Sequence, residues 1–379
     1  MGRPQTGCLE SFSPIVKKRI LDLRRIHPAW GSLTIYIELT HDEGLTQLKL
    51  PKSSTIASFL KSMGLTKQYE KHIPLPGPKL HPASFSHQIW QIDAQGAMEV
   101  PGLGRINMVN IKDVFSKTYC GCLPAMARSH NGSPSAEDYR LALRLAFIEF
   151  GLPNKIQVDH AGVFFENNSK SPFPTRFHLW LVSLGIDLIF SRKHRPTDQS
   201  IVERSHQTLF QQIHSSTEFR TLEELHTFCD QRRVRLNHSI PSKSTQKKPP
   251  LVASPPARFS GKYYQPQLES SIVRLERVYA YIQQGAWIRK VNQNKTLFLG
   301  NQWYYLNQAK ANSKLLIKFD PETHCLLFHN DKELVIHREP IKGISLESII
   351  GDSLYQASLP GTQLKLPFTL ESNYLARLF

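Results

Sequence analysis

Between His87 and His214 the sequence changes texture again and again, from short apolar runs to longer ones with helical spacing. That alternation constrains the fold more than anything else in the chain. Gln88 to Asp93, Ile106 to Ile111 and Thr118 to Leu123 read as three strands, the last two joined by a turn through Asp113 and Ser116. Ser133-Pro134 opens a helix in which Leu141, Leu143, Leu145, Ala146 and Ile148 supply apolar faces until Gly151. Lys155 to Asp159 is a fourth strand, and a loop through Asn167, Pro172 and Pro174 leads to a helix around Phe177 to Leu184. Ile186 to Phe190 is a fifth strand, after which Pro196, Thr197 and Asp198 open a helix running through Glu203 toward His214. This order predicts an α/β domain with a mixed five-stranded sheet, spanning 87–220.

The flanks read differently. Residues 1–73 hold three short helical runs: 14–27 closed by Pro28, a second after Trp30-Gly31-Ser32, and a third at Thr55 to Met63, capped by Ser53 or Ser54 and closed by Gly64. Three such helices with a basic surplus fit a helix-turn-helix, or a small helical bundle with no ligand. Four prolines between Pro74 and Pro82 make 74–86 an extended linker. Residues 221–262 read as a basic helix with Arg232, Arg233 and Arg235, followed by a linker with Lys243, Lys247 and Lys248. Short β-rich runs from Ser271 to Leu306 and from Leu315 to Ile341 predict a small β-barrel at 263–345, leaving 346–379 as a tail.

Composition narrows the class. Of 379 residues, 40% are hydrophobic, enough for real cores in about two to four domains. No uncharged apolar run approaches the roughly 18 residues of a membrane span, and Met1 to Ser13 has no apolar core of a signal peptide. Five scattered cysteines argue for a reducing compartment. Cys120 and Cys122 alternate on one strand face without a second pair, which argues against zinc. The net charge of +16 is uneven: +6 in 1–80, +2 in 81–215, +5 in 216–262 and +3 in 263–379. A solvated basic face accounts for it as readily as a polyanion does, and nucleic acid is the specific partner it suggests.

In the near-neutral middle, three acids stand out by position. Asp93 and Asp159 end strands, and Glu203 sits in the first turns of a helix that follows another strand. Acids near strand ends are often caps or loop residues. Three that converge need a cation to offset their repulsion, and all-oxygen ligands favour Mg²⁺ or Mn²⁺.

Three segments carry a family resemblance: Trp90 to Asp93, Val158-Asp159-His160-Ala161-Gly162-Val163-Phe164, and Pro196-Thr197-Asp198-Gln199-Ser200-Ile201-Val202-Glu203-Arg204-Ser205-His206-Gln207-Thr208-Leu209. Residues 87–215 resemble the integrase-type catalytic core of bacterial insertion-sequence transposases, kin to retroviral integrases, with one Asp-Asp-Glu member per segment in the family's order. Leu23 to Gly31 is similar to the helix-turn-helix that precedes such cores, and Asn237 to Tyr264 to the segment that follows. Gly162 falls three residues after Asp159 where many relatives place a glycine two after, and 43 residues separate Asp159 from Glu203, a longer spacing than the commonest. Residues 1–80 lack the His-His-Cys-Cys cluster of the retroviral zinc domain.

The resemblance implies an RNase H-like core in which Asp93, Asp159 and Glu203 hold two Mg²⁺ (or Mn²⁺) ions and cleave and join DNA, as a DDE transposase does. It implies double-stranded DNA, element ends and target alike, as partner, with homo-oligomers forming on it, no membrane, and a bacterial cytoplasmic, nucleoid-associated setting. The chain opens almost on the helix that relatives place second, which predicts that an upstream DNA-binding unit is lacking. Lys193, His194 and Arg195 read as phosphate contacts or as a solvated loop, Arg204 as a DNA backbone contact or a surface ion pair, and Asp198 as an N-cap or a metal ligand. Arg232, Arg233, Lys247 and Lys248 complete the expected DNA contacts. A DNA-binding regulator that no longer catalyses, and an RNase H-like nuclease that cuts but never joins, are the rival functions.

Overall fold

The structure is a computed structural model that describes residues 7–66, 82–127, 132–192, 196–213 and 218–351. Most of the expected linker at 74–86, together with Lys193, His194, Arg195 and the expected tail from 352 onward, lies outside the described residues.

Helices α1 (Pro14–Ile26), α2 (Ser32–Thr40) and α3 (Ser53–Ser62) form the N-terminal unit. Ser13 caps α1 by accepting from the Ile15 amide at 3.3 Å, with Pro14 at the first helical position, where its missing N–H costs nothing. Val16, Ile20 and Leu23 recur at helical spacing and pack on Ile35, Leu39, Ile56 and Phe59. The third helix starts earlier than expected: Ser53 is inside it, and Lys52 flanks it without a side-chain cap.

Strands β1 (Ile89–Val100), β2 (Gly104–Asp113) and β3 (Tyr119–Met126) form an antiparallel meander. Helix α4 (Ala136–Phe150) begins after Ser135, which forms a reciprocal capping box with Asp138 in the first turn, two residues later than Ser133-Pro134 suggests. Strand β4 (Lys155–Val158), helix α5 (Arg176–Ser183), strand β5 (Asp187–Phe190), a 3₁₀ turn at Pro196–Gln199 and helix α6 (Ser200–Ile213) complete the unit. The sheet order is β3-β2-β1-β4-β5, with β4 and β5 running parallel to β1. The expected mixed five-stranded sheet is therefore present, and β1 is its centre.

One face of that sheet is apolar. Trp90, Ile92, Val109 and Ile111 pack against Phe147 and Phe150 of α4 and Trp180 of α5. Burying each such side chain contributes roughly 1.5–3 kcal/mol. The other face carries α6 and α7 (Leu222–His238), whose Leu209, Leu225 and Leu236 close over Ile106, Met108 and Tyr119. A bulge in β3 pairs Ile111 with Gly121 but Lys112 with Tyr119. The extra residue flips the alternation, so Cys120 joins the α4 side and Cys122 the α7 side instead of sharing one face as expected.

The stretch after α7, read as a linker, is strapped to the core. Helix α8 (Pro250–Ala253) packs on α7, and the chain after it runs back along the end of α4. Ser260 donates its amide to Phe150 at 2.8 Å, Leu152 donates to Lys262 at 3.0 Å, and the Lys262 ammonium reaches Asn154 at 2.7 Å. Gly151 stops α4 at φ +74°, and a Cβ there would lie 2.6 Å from the Lys262 carbonyl, so only glycine fits.

The C-terminal part differs from the expected barrel. Residues at its start, read as β-rich, form helices α9 (Glu269–Ile272) and α10 (Leu275–Gln283). Strands β6 (Ala286–Lys290), β7 (Thr296–Leu299), β8 (Gln302–Tyr305), β9 (Lys314–Asp320), β10 (Cys325–His329) and β11 (Val335–Pro340) follow. They make a four-stranded sheet, β11-β10-β9-β6, and a separate β7-β8 hairpin, with no closed barrel among the described residues. The tail starts as helix α11 (Leu346–Ile350), whose Ile349 and Ile350 are buried. A single apolar cluster runs from Trp90 and Phe147 through Tyr264 and Val278 to Ile317, Phe328 and Ile350. The Arg144–Glu269 pair, two bonds of 2.9 Å, ties the two parts together inside it. Among the described residues no helix is long and apolar enough to cross a membrane.

Candidate active site

Because side chains alternate along a strand, the sheet register decides which residues face α6. Gln91 pairs with Gln157 on β4 and Lys112 on β2, and Lys112 with Tyr119 on β3, giving one row across four strands. One step on, Asp93 pairs with Asn110, and Asn110 with Cys122. Asp159 is the first residue past β4, and the parallel register carried two residues further sets it level with Asp93. Both aspartates thus come to the α6 side, where Glu203 lies in the first turn of α6.

Asp93 is oriented from two directions. Its Oδ1 accepts from the Ala94 amide at 2.9 Å, and its Oδ2 lies 3.0 Å from His206 Nε2. The other ring nitrogen, Nδ1, meets Asn110 Nδ2 at 2.6 Å. An amide nitrogen can only donate, so in this assignment Nδ1 accepts and Nε2–H donates to Asp93. Asp159 Oδ1 accepts from the Ala161 amide at 2.8 Å.

The acids disturb one another. Burial and then the charge of Asp93 raise the Asp159 carboxyl above its ordinary value, and the same two causes, in the same order, raise Glu203. Burial first, then Asp93 and Asp159, push the Tyr139 hydroxyl far up, so it stays protonated beside them. Among the described residues no three His, Cys, Asp or Glu side chains are gathered closely enough to hold an ion. The three carboxylates share a face and a repulsive field without being drawn into a coordination sphere. An all-carboxylate donor set in which burial and then the charge of Asp93 raise Asp159 and Glu203 fits a hard divalent cation, which would relieve that repulsion.

Two residues that the sequence reading did not single out fix the Glu203 helix. The buried amide of Gln91 donates to Gln157 Oε1 at 3.0 Å and to the Asp198 carbonyl at 2.7 Å, while its Oε1 accepts from the Val202 amide at 3.1 Å. Gln157 donates to the same carbonyl at 3.1 Å and to Ser191 at 3.2 Å. Asp198 lies in the 3₁₀ turn before α6, and its carboxylate makes a two-point pair with Arg192 at 2.8 and 3.0 Å. A glutamine two residues before each aspartate, on the same strand face, is the signal that could have revealed this pair.

The expected DNA contacts divide. Arg204, Lys247 and Lys248 are exposed, Arg204 on α6 and the lysines on a turn closed by the Ser242–Lys248 bridge. Lys193 and Arg195 lie outside the described residues. Arg232 and Arg233 are corrected: each is 4% exposed and engaged inside the molecule. Arg232 pairs with Glu38 at 2.8 Å, donates to Gln212 at 2.7 Å and stacks over Trp30 at 4.2 Å. Arg233 pairs with Glu149 at 2.5 Å and Asp230 at 2.7 Å. Trp30 also donates to the Gln212 carbonyl at 3.2 Å, so these contacts dock the N-terminal helices on α6 and α7.

Residues 184–250, covering β5, α6 and α7 and therefore Glu203, match the family model described as an integrase core domain. The chain carries an integrase-type core. Solved structures similar to it include the HTLV-2 integrase catalytic core domain in complex with magnesium, at 14% identity and a TM-score of 0.33 over 45% of this chain and 99% of that one. A chain of the simian T-cell lymphotropic virus intasome in complex with the PP2A regulatory subunit B56 gamma is similar at 12% identity and a TM-score of 0.38 over 83% of this chain and 99% of that one. The BIV integrase catalytic core is similar at 14% and 0.32, over 44% and 92%. With every score below 0.5, the family match and the sheet geometry carry the assignment of the integrase-type core.

Proposed function

We propose that this chain is a metal-dependent DNA strand-transfer enzyme, a transposase of the insertion-sequence kind. The observation that carries the reading is that Asp93, Asp159 and Glu203 lie on one face of an integrase-type sheet, the last two raised by burial and then by the charge of Asp93. Asp93, Asp159 and Glu203 would hold Mg²⁺ or Mn²⁺, two ions in the full reading. When bound, such ions stabilise the attacking and leaving oxygens of an in-line phosphoryl displacement.

The chain's own residues do the rest by positioning. His206, fixed by Asn110, keeps one Asp93 oxygen turned away from rotation. The Gln91–Gln157 pair holds the first turn of α6, and with it Glu203, against the strands bearing the aspartates. The N-terminal helices would bind element ends as a helix-turn-helix, in homo-oligomers assembled on DNA.

The test is direct. The purified chain with Mg²⁺ should nick duplexes carrying the element ends and join them to a second duplex, and Asp93→Asn should abolish both products. Unchanged activity in that variant would overturn the assignment. Tight binding with no cleavage in either ion would make the chain the regulator described above, and cutting without joining would make it a nuclease.

A further inference from the structure

Among the described residues five Lys or Arg side chains are buried, and four of them have a carboxylate: Arg140 faces Glu137 at 3.7 Å, Arg144 Glu269, Arg232 Glu38, and Arg233 Glu149. Lys112 is the exception. It is 7% exposed, and the contact found for its ammonium is the Tyr119 ring, 3.8 Å from Nζ. Two further neighbours are cations. Burial, then Lys117, then Arg204 pull its pKa down to about 7. Lys117 donates to the Val114 carbonyl, and Arg204 stands exposed on α6 with no carboxylate partner among the described residues.

The fold holds these groups in place. Lys112 is the cross-strand partner of Gln91, so it faces α6 one row from Asp93. Arg204 and Thr208 are one helical turn apart on α6, the Thr208 hydroxyl donates to the Arg204 carbonyl at 3.1 Å, and Thr208 acts on the hydroxyl of Tyr119, over whose ring Lys112 lies. A buried cation flanked by cations is a costly arrangement unless an anion completes it.

We propose that Lys112, Lys117 and Arg204 form a docking point for a backbone phosphate of the DNA strand that enters the acidic site. The inference rests on the DNA reading above. The row spacing puts Lys112 roughly 7 Å along the sheet from Asp93, a separation that a strand held at the acids spans within a nucleotide or two. Arg204 captures the phosphate at the surface, and Lys112 supplies the charge beneath it.

The test uses the full chain, EDTA to prevent cleavage, and a short fluorescent duplex of arbitrary sequence titrated from low to physiological salt. Lys112→Met should weaken binding several-fold and make the slope of log affinity against log salt shallower by about one. The same variant should melt at or above the wild-type temperature, because it removes a charge that the free protein does not neutralise; a merely structural lysine would lower it. Arg204→Ala, at an exposed position, should reproduce the binding change should the first variant fail to fold. Wild-type affinity and slope in both variants would overturn the phosphate site while leaving DNA binding standing. A wild-type chain that binds no duplex at any salt would overturn the DNA reading and the site with it. If inorganic phosphate raises the melting temperature of wild type but not of Lys112→Met, and the variant binds duplex as wild type does, the site takes a small free anion, and its assignment to a DNA phosphate is overturned while DNA binding stands.

Discussion

On one face of the central sheet Trp90, Ile92, Val109 and Ile111 meet Phe147, Phe150 and Trp180; on the other, the intervening residues Gln91, Asp93, Asn110 and Lys112 meet α6. The same strands supply both sets, one residue out of phase. The first face is held by area removed from water and tolerates exchange of one apolar shape for another. The second is held by hydrogen bonds with fixed partners, and it leaves charges facing one another. Stability is concentrated on the first face, and the candidate site lies on the second.

That contrast can be broken at either face. The largest expected effect is on the apolar side, where Phe147→Ala should cost about 3–5 kcal/mol in a urea titration; a loss under about 1 kcal/mol would mean that α4 is not the keystone of the core. On the polar side, Gln91→Leu should keep most of the stability yet cut strand transfer about 10–100-fold, as when a group that orients metal ligands is lost. Equal losses in melting temperature and activity would reduce Gln91 to a packing residue. The smallest effect should be a gain. Asp159→Asn, measured in EDTA at pH 7, should raise stability by no more than about 1 kcal/mol, since solvent screens a half-buried carboxylate. With its folded-state pKa raised, Asp159 contributes stability below the ordinary carboxylate range of about 4 and loses it as pH rises through the folded value. The gap between variant and wild type should therefore close as pH falls toward 4, and a gap that widens would contradict the repulsion.

Local pattern was enough to read the sheet and its helices in order. Trp90 and Ile92 flanking Gln91 state a strand with two unlike faces, and the acids declared themselves by ending such runs. What escaped depended on partners far away in the chain. Arg232 and Arg233 look like any basic surface until Glu38 and Glu149, 194 and 84 residues distant, arrive beside them. The β3 bulge that separates Cys120 from Cys122 is a matter of pairing register with β2, which spacing does not encode. The 242–262 stretch has a linker's composition, yet its backbone hydrogen bonds go to the end of α4. The C-terminal strands were visible as strands, but whether they close on one another is settled by neighbours rather than by periodicity.

The strap over α4 has a consequence for how the molecule can be divided. A fragment cut after residue 220, where the pattern of strands and helices ends, would strand the Phe150 carbonyl and the Leu152 amide and uncover Trp180, whose indole donates to Glu269 at 2.6 Å. Such a piece would carry all three acids and still misfold or aggregate. The chain's later third packs on the core as a buttress, and the apolar cluster that starts in β1 ends in α11.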